Sequence, residues 1–300
     1  MQSDVTHIHF DGGENAVLLI HGLSGNPMEM QYMAKRLQTA GFSVRVPHIK
    51  GYGYTQGASR TGVGRWQDWY GELAAEFDVL QRAYRSVSVC GLCIGAVLAL
   101  KLAAERRKAV SALSLLSTTL FYDGWSIPWY RFLLPLGYYT PIGRNYTYEE
   151  RYPFGVKNER LREWIAREMR EKSTSIAGAA MLPLAAIHEA EKLISNVKRV
   201  IPRVSTPAII MHALEDDVAS VRSAEYVEKR IASSVRRSVR LINSYHMLTL
   251  DNDRQQVADE TIGFFREAVA RRLETIPSGE RDTGDLLTGN VVPSYNAMGA

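Results

Sequence analysis

Two cysteines, Cys90 and Cys93, lie three residues apart in the run Ser86-Val87-Ser88-Val89-Cys90-Gly91-Leu92-Cys93-Ile94-Gly95-Ala96. An apolar, β-branched run that enters Gly-x-Cys-x-Gly and leaves as an apolar helical pattern predicts a strand, a sharp turn and a helix, a nucleophile elbow with Cys93 at the turn. Glycines two before and two after Cys93 answer a steric demand, because so tight a turn brings neighbouring backbone into the space of any side chain there. Cys93 is thereby set at a helix N-terminus, exposed, where the positive end of the helix dipole favours a negatively charged sulfur. The pair also spells Cys-x-x-Cys, a redox dithiol motif. A strand-end Cys90 and a turn Cys93 direct their side chains apart, however, and nucleophilic chemistry is the stronger reading.

A cysteine nucleophile needs a base and a place for negative charge on the acyl oxygen. Downstream, the strand pattern Ile209-Ile210-Met211-His212-Ala213 runs into Leu214-Glu215-Asp216-Asp217-Val218, and Ser244-Tyr245-His246-Met247 follows about 30 residues later. An acid and then a histidine, each just past a strand and both after the nucleophile, is the chain order of enzymes built on such an elbow. His246 is the expected base; the acid that orients it is one of residues 215–217, with Asp251 a further local candidate. Upstream, the strand Val17 to Ile20 ends in His21-Gly22-Leu23-Ser24-Gly25-Asn26-Pro27. The loop after that strand and the residue after the nucleophile each supply a backbone N–H to the oxyanion, so Leu23 and Ile94 are the expected donors.

For these residues to meet, parallel strands must end on one edge of a sheet. Short apolar runs at 16–21, 42–47, 86–90, 110–116, 207–212 and 238–242 alternate with amphipathic segments at 28–40, 66–83, 94–106, 223–232 and 254–272. That rhythm predicts an α/β fold, a mostly parallel central sheet flanked by helices. It breaks at 119–204, where twelve of the chain's 28 aromatic side chains crowd between Phe121 and Phe154. This segment reads as an inserted helical cap on a core made of residues 1–118 and 205–276. Leaving the sheet at a strand end, the cap should lie over the edge that carries Cys93. Phe121, Trp125, Trp129, Tyr130 and Tyr138 are its expected substrate contacts, favouring an apolar or aromatic acyl group. Residues 277–300, rich in Gly, Asp, Thr and Asn, read as a C-terminal extension outside the core.

Composition narrows the classes further. A chain that is 46% hydrophobic and 23% charged has an ordinary globular core. The net charge of +4 is spread in small clusters, which argues against a nucleic-acid partner. The apolar stretch at 87–104 contains Gly91, Gly95 and Lys101 and is no membrane span. The start, Met-Gln-Ser-Asp, has no basic or apolar leader pattern, so the expected location is cytoplasmic, a reducing compartment that suits two close cysteines. His7 and His9 alternate along a strand pattern without further ligands, and no metal or other cofactor is expected.

The motifs Leu18-Leu19-Ile20-His21-Gly22-Leu23-Ser24-Gly25-Asn26, Lys50-Gly51-Tyr52-Gly53 and Trp66-Gln67-Asp68-Trp69, with the elbow and the two C-terminal motifs, resemble the capped α/β-hydrolases grouped with bacterial carboxylesterases and monoacylglycerol lipases. The resemblance covers about residues 14–118 and 205–270. It implies the α/β-hydrolase fold, and it makes Asp216 the preferred acid, four residues after the strand-ending His212 and two before Val218. Two positions depart from the family pattern: Tyr52 for histidine, read as a surface-loop difference, and Cys93 for serine. An acyl-cysteine is a thioester, uphill to form from an oxyester and near balance from a coenzyme A or carrier-protein thioester. The expected function is therefore an acyl hydrolase, carboxylesterase or thioesterase, on a small-molecule acyl ester or thioester. The alternatives are an acyltransferase that passes the acyl group from Cys93 to an amine or alcohol, as in similar cysteine-bearing hydrolase-fold enzymes of the bile-acid acyltransferase type, and a non-catalytic ligand-binding protein of the same fold.

Overall fold

In a computed structural model of the chain, residues 7–54, 62–140, 146–172 and 174–275 are described. The segment expected as a C-terminal extension, 277–300, lies outside them. A seven-stranded sheet forms the centre, from β1 (His7–Phe10), β2 (Asn15–Ile20), β3 (Ser43–Pro47), β4 (Ser86–Leu92), β5 (Val110–Leu116), β10 (Ala208–Ala213) and β11 (Arg236–Leu241). Their spatial order is β1-β3-β2-β4-β5-β10-β11. Only β1 runs antiparallel to its neighbour, and the remaining pairs are parallel. β4, β5 and β10 are buried along their whole length, as continuous apolar strands covered on both faces must be.

One helical layer holds α2 (Trp66–Ala83) and α3 (Ile94–Arg106), packed with Leu18, Ile20, Val87, Val89 and Leu113. The other face is covered by α1 (Gln31–Thr39) and α8 (Arg254–Thr275), whose Phe264 and Phe265 pack with Val17, Leu19 and Met211. Between β5 and β10 the described residues add no strand to this sheet. It forms the short helix α4 (Leu134–Tyr138), α5 (Glu159–Lys172), and two small antiparallel pairs, β6 (Thr147–Glu149) with β9 (Met181–Pro183) and β7 (Thr174–Ser175) with β8 (Gly178–Ala179). α6 (Leu184–Val200) follows, and α7 (Arg222–Arg230) lies between β10 and β11.

Two features differ from the sequence reading. α6, inside the segment expected as a cap, sets Ala190, Leu193, Ile194 and Val197 into the same apolar cluster as α2 and α3. Those four positions repeat at helical spacing, and the stripe makes α6 part of the layer that covers the sheet. Tyr52, expected as a surface-loop difference, is buried: its ring meets Trp69 edge-on at 5.3 Å and its hydroxyl donates to the His21 carbonyl at 2.7 Å.

Candidate active site

The chain direction reverses between β2 and β4. β2 is followed outward by β3, whereas β4 returns to the other side of β2 and leads to β5, so the C-terminal ends of β2 and β4 border a topological switch point, where open α/β sheets place their ligands. Both loops singled out in the sequence start there. Cys93 follows β4 directly and caps α3 with φ 58° and ψ −119°, a left-handed conformation that costs a non-glycine residue about 1–3 kcal/mol and persists only when its surroundings enforce it. The surroundings are backbone. A Cβ at Gly91 would lie 2.6 Å from the Ala96 nitrogen, and one at Gly95 would lie 2.5 Å from the Ile20 carbonyl oxygen.

The sulfur is half-buried where the two apolar clusters meet, less open than the sequence suggested. Thr119 Oγ1 lies 3.4 Å from Cys93 Sγ and donates to the Ser117 carbonyl at 3.1 Å. Its hydroxyl proton is thus already engaged, and its oxygen is free to accept from the thiol. Ile94 opens α3, so its N–H has no helical acceptor. The N–H groups of Gly22, Ser24 and Gly25 are all bonded, to Glu29, Tyr52 and Gly22 respectively, and that of Leu23 has no acceptor among the described residues.

His246 follows β11, with its Nδ1 at 2.8 and 2.9 Å from the two oxygens of Asp216. Asp216 is held in turn by the N–H groups of Val218 and Ala219 at 2.9 and 2.8 Å, and His212 Nε2 lies 3.4 Å from its second oxygen. The other ring nitrogen, His246 Nε2, is buried and, Cys93 apart, has no hydrogen-bond partner among the described residues. Burial alone would lower the pKa of His246. The Asp216 carboxylate, and after it Cys93, overcome that and hold the imidazole well above its ordinary value. Burial likewise opposes ionisation of Asp216, but the His246 charge and hydrogen bond keep it below the usual carboxylate range. The neighbouring acids are engaged elsewhere. Glu215 pairs with Lys157 at 2.7 Å, Asp217 accepts from the backbone of Gly155 and His246, and Asp251 accepts from the backbone of Tyr245, Lys157 and Asn158. Asp217 is pushed up to about 6, chiefly by burial, and Glu150 from the insertion to about 7, by burial and then by Asp217.

A family model described as serine aminopeptidase, S33 matches residues 13–253. The chain belongs to this S33 family. Its fold is that of the α/β-hydrolases. This S33 hydrolase is 25% identical over 85% of its length to a thermostable monoacylglycerol lipase of a Bacillus species, strain H-257, covering 92% of that protein. It is 24% identical over 86% of its length to a carboxylesterase of Bacillus subtilis, covering 95% of that one. Among solved structures, one of two metagenome-derived lipolytic enzymes superposes with a TM-score of 0.73 at 22% identity, over 88% of this chain and 98% of that one.

In the insertion of this S33 hydrolase the aromatic side chains expected as substrate contacts have the following neighbours. Phe121 packs edge-on against Tyr226 at 5.6 Å, under Lys198 and Arg222. Trp125 donates to the Glu215 carbonyl and meets Tyr245. Trp129 is 83% exposed, in edge contact with Tyr130, and Tyr138 stacks on His188 with its hydroxyl on Glu191. Tyr122 is partly buried on the same apolar cluster as Cys93, and burial, then Cys93, push its hydroxyl well above its ordinary value. Phe154, Ile176, Ala177 and Ala180 pack on the apolar cluster that touches Cys93, and the Gly155 carbonyl accepts from the Met247 N–H at 2.8 Å.

The cysteine partner Cys90 lies inside the sheet, where burial pushes its thiol up to about 12. His9 pairs with Asp11 at 2.9 Å, and among the described residues no cluster of three metal-ligating side chains occurs. No helix of the described chain is long and apolar enough to cross a membrane.

Proposed function

We propose that the protein is an esterase-type acyl hydrolase that works through an acyl-cysteine at Cys93. The observation that carries this reading is His246, oriented by Asp216 at 2.8 Å, whose buried Nε2 has no partner but Cys93 among the described residues, the cysteine being held in the strained elbow conformation. The thiol proton has passed to His246 Nε2 by the time the sulfur adds to the acyl carbon, and the carbonyl oxygen becomes an oxyanion within reach of the Leu23 and Ile94 N–H groups. Collapse breaks the bond to the leaving group, an alkoxide or thiolate, which takes the proton from His246. Water then adds to the thioester with His246 again as base, the carbon–sulfur bond breaks, and the acid departs as Cys93 recovers its proton.

Leu23 and Tyr122, partly buried on one of the apolar clusters that Cys93 joins, and Phe154 and Ile176, partly buried on the other, support an apolar or aromatic acyl group. The lipase and carboxylesterase among the similar proteins support ester cleavage. The cysteine extends the donor range toward thioesters of coenzyme A or a carrier protein, because exchange of one thioester for another is near thermoneutral. It also favours a second reading, transfer of the acyl group to an amine, since thioesters react readily with amines. Intact-protein mass spectrometry after brief exposure to p-nitrophenyl butyrate and to butyryl-coenzyme A separates these. Rapid turnover with an adduct that Cys93→Ala lacks supports hydrolysis, a persistent adduct discharged by amines supports transfer, and absence of both defeats the reading.

A further inference from the structure

The loop after β2 is fastened by a ring of hydrogen bonds. Tyr52 donates to the His21 carbonyl, Ser24 N–H to the Tyr52 carbonyl at 2.9 Å, Gly25 N–H to the Gly22 carbonyl at 3.1 Å, and Tyr54 N–H to the Gly25 carbonyl at 2.8 Å. From the insertion, Ala179 N–H reaches the Ser24 carbonyl at 3.1 Å. One anchor differs in kind. The Gly22 N–H donates to Oε2 of Glu29 at 2.8 Å, and Glu29 is 1% exposed.

Its carboxyl group is threaded between three glycines. A Cβ at Gly25 would lie 2.6 Å from Oε2, one at Gly22 would lie 3.2 Å from the same oxygen, and one at Gly178 would lie 3.3 Å from Oε1. The Gly22 position is also 3.8 Å from Cys93 Cβ. Gly22 therefore stands between the buried carboxyl and the nucleophile, and the peptide that follows it carries the unengaged Leu23 N–H.

We propose that Glu29 is the positioning residue of the oxyanion loop: by holding the Gly22 N–H it fixes the orientation of the next peptide, so that the Leu23 N–H stays aimed at the acyl oxygen of a substrate on Cys93. This rests on the reading of Cys93 as nucleophile with Leu23 and Ile94 as donors. A donor aimed at the oxyanion acts when charge develops on that oxygen and little before. Loss of the anchor therefore falls on kcat and spares KM. It also spares alkylation of the sulfur by iodoacetamide, a displacement in which no oxyanion forms.

The test compares wild type, Glu29→Ala and Glu29→Gln by kcat and KM on p-nitrophenyl butyrate and by the rate of Cys93 alkylation. Glu29→Ala is expected to lower kcat roughly ten- to a hundredfold, short of the effect of deleting a donor outright, with KM and the alkylation rate each within about twofold. Glu29→Gln, whose amide oxygen still accepts from Gly22, is expected to recover kcat to within about threefold of wild type. If the alanine variant does not fold, Glu29→Leu takes its place as a chain of similar length without an acceptor. An unchanged kcat in the variant without an acceptor, a parallel loss of kcat and alkylation, or a glutamine variant no better than alanine overturns the proposal. Failure of the underlying reading looks different: ester turnover by wild type would then survive Cys93→Ala, whatever Glu29 does.

Discussion

Glu29 gives a quantitative test through stability as well as turnover. Burial pushes its carboxyl up to about 7 from an ordinary 4.5, the Gly22 and Asn26 N–H groups and His246 offsetting only part of the effect. The folded protein therefore keeps the Glu29 proton to about pH 7, whereas the unfolded chain releases it near 4.5. Between these values the native state binds more protons, so stability falls as pH rises, and the full cost is present above about pH 7. At about 1.4 kcal/mol per pH unit, the cost reaches about 3 kcal/mol. Glu29→Gln keeps the acceptor for Gly22 and removes the titration. Urea unfolding of wild type and Glu29→Gln at intervals from pH 4.5 to 8 is the assay. The difference in stability should shift by about 3 kcal/mol in favour of the variant across that window. Only the shift counts, because the offset at pH 4.5 contains any packing difference between an acid and an amide. Glu150 and Asp217 titrate over the same range, but they are present in both proteins and cancel to first order. Two parallel stability curves would show that Glu29 ionises freely in the folded state, and the buried carboxyl clasp would not exist as described.

His246→Ala should lose at least about a hundredfold in kcat/KM on p-nitrophenyl esters, as expected for removal of a general base; a loss under tenfold would assign proton transfer to another group. Gly95→Ala drives a Cβ to 2.5 Å from the Ile20 carbonyl, and calorimetry should register a fall in Tm of roughly 3 °C or more, on the order of 2 kcal/mol at this chain length. Tyr122→Ala should raise KM for aromatic esters about fivefold, or ~1 kcal/mol. Trp129→Ala, at a ring that is 83% exposed, should leave KM within about twofold, and the reverse ranking in steady-state kinetics would mean that substrate enters over the exposed rings.

The legible parts of this protein were those with a period or a fixed local geometry. Strands buried on both faces must be apolar throughout, so Val110 to Leu116 and Ala208 to Ala213 announced themselves. The elbow was legible because its two glycines have no substitute. Asp216 stood out only through the family pattern, since Glu215 and Asp217 share its neighbourhood and differ in what they touch in space: a lysine in one case, backbone N–H groups in the other. Tyr52 was misjudged for the same reason. A tyrosine in a Gly-x-Gly loop looks solvent-facing along the chain, and its burial is set by Trp66 to Ala83, the helix that brings Trp69 over it.

Glu29 illustrates the remaining limit. In sequence it is one acidic residue in the amphipathic stretch that opens α1, where a charge ordinarily marks a solvated face. Its role depends on a reversal of direction between Gly22 and Met30 that folds the side chain back across Gly25 onto the loop it has just left. The glycines at 22 and 25 stand in the loop that follows β2. In space they clear room for a carboxyl group, while Gly95 clears room for the end of β2 against α3. These clearances act on one distance. Gly95 lets the start of α3 approach the end of β2, and Glu29 holds the Gly22 N–H where the chain leaves β2, so in the proposed mechanism the Ile94 and Leu23 N–H groups are positioned by two contacts that involve neither group directly.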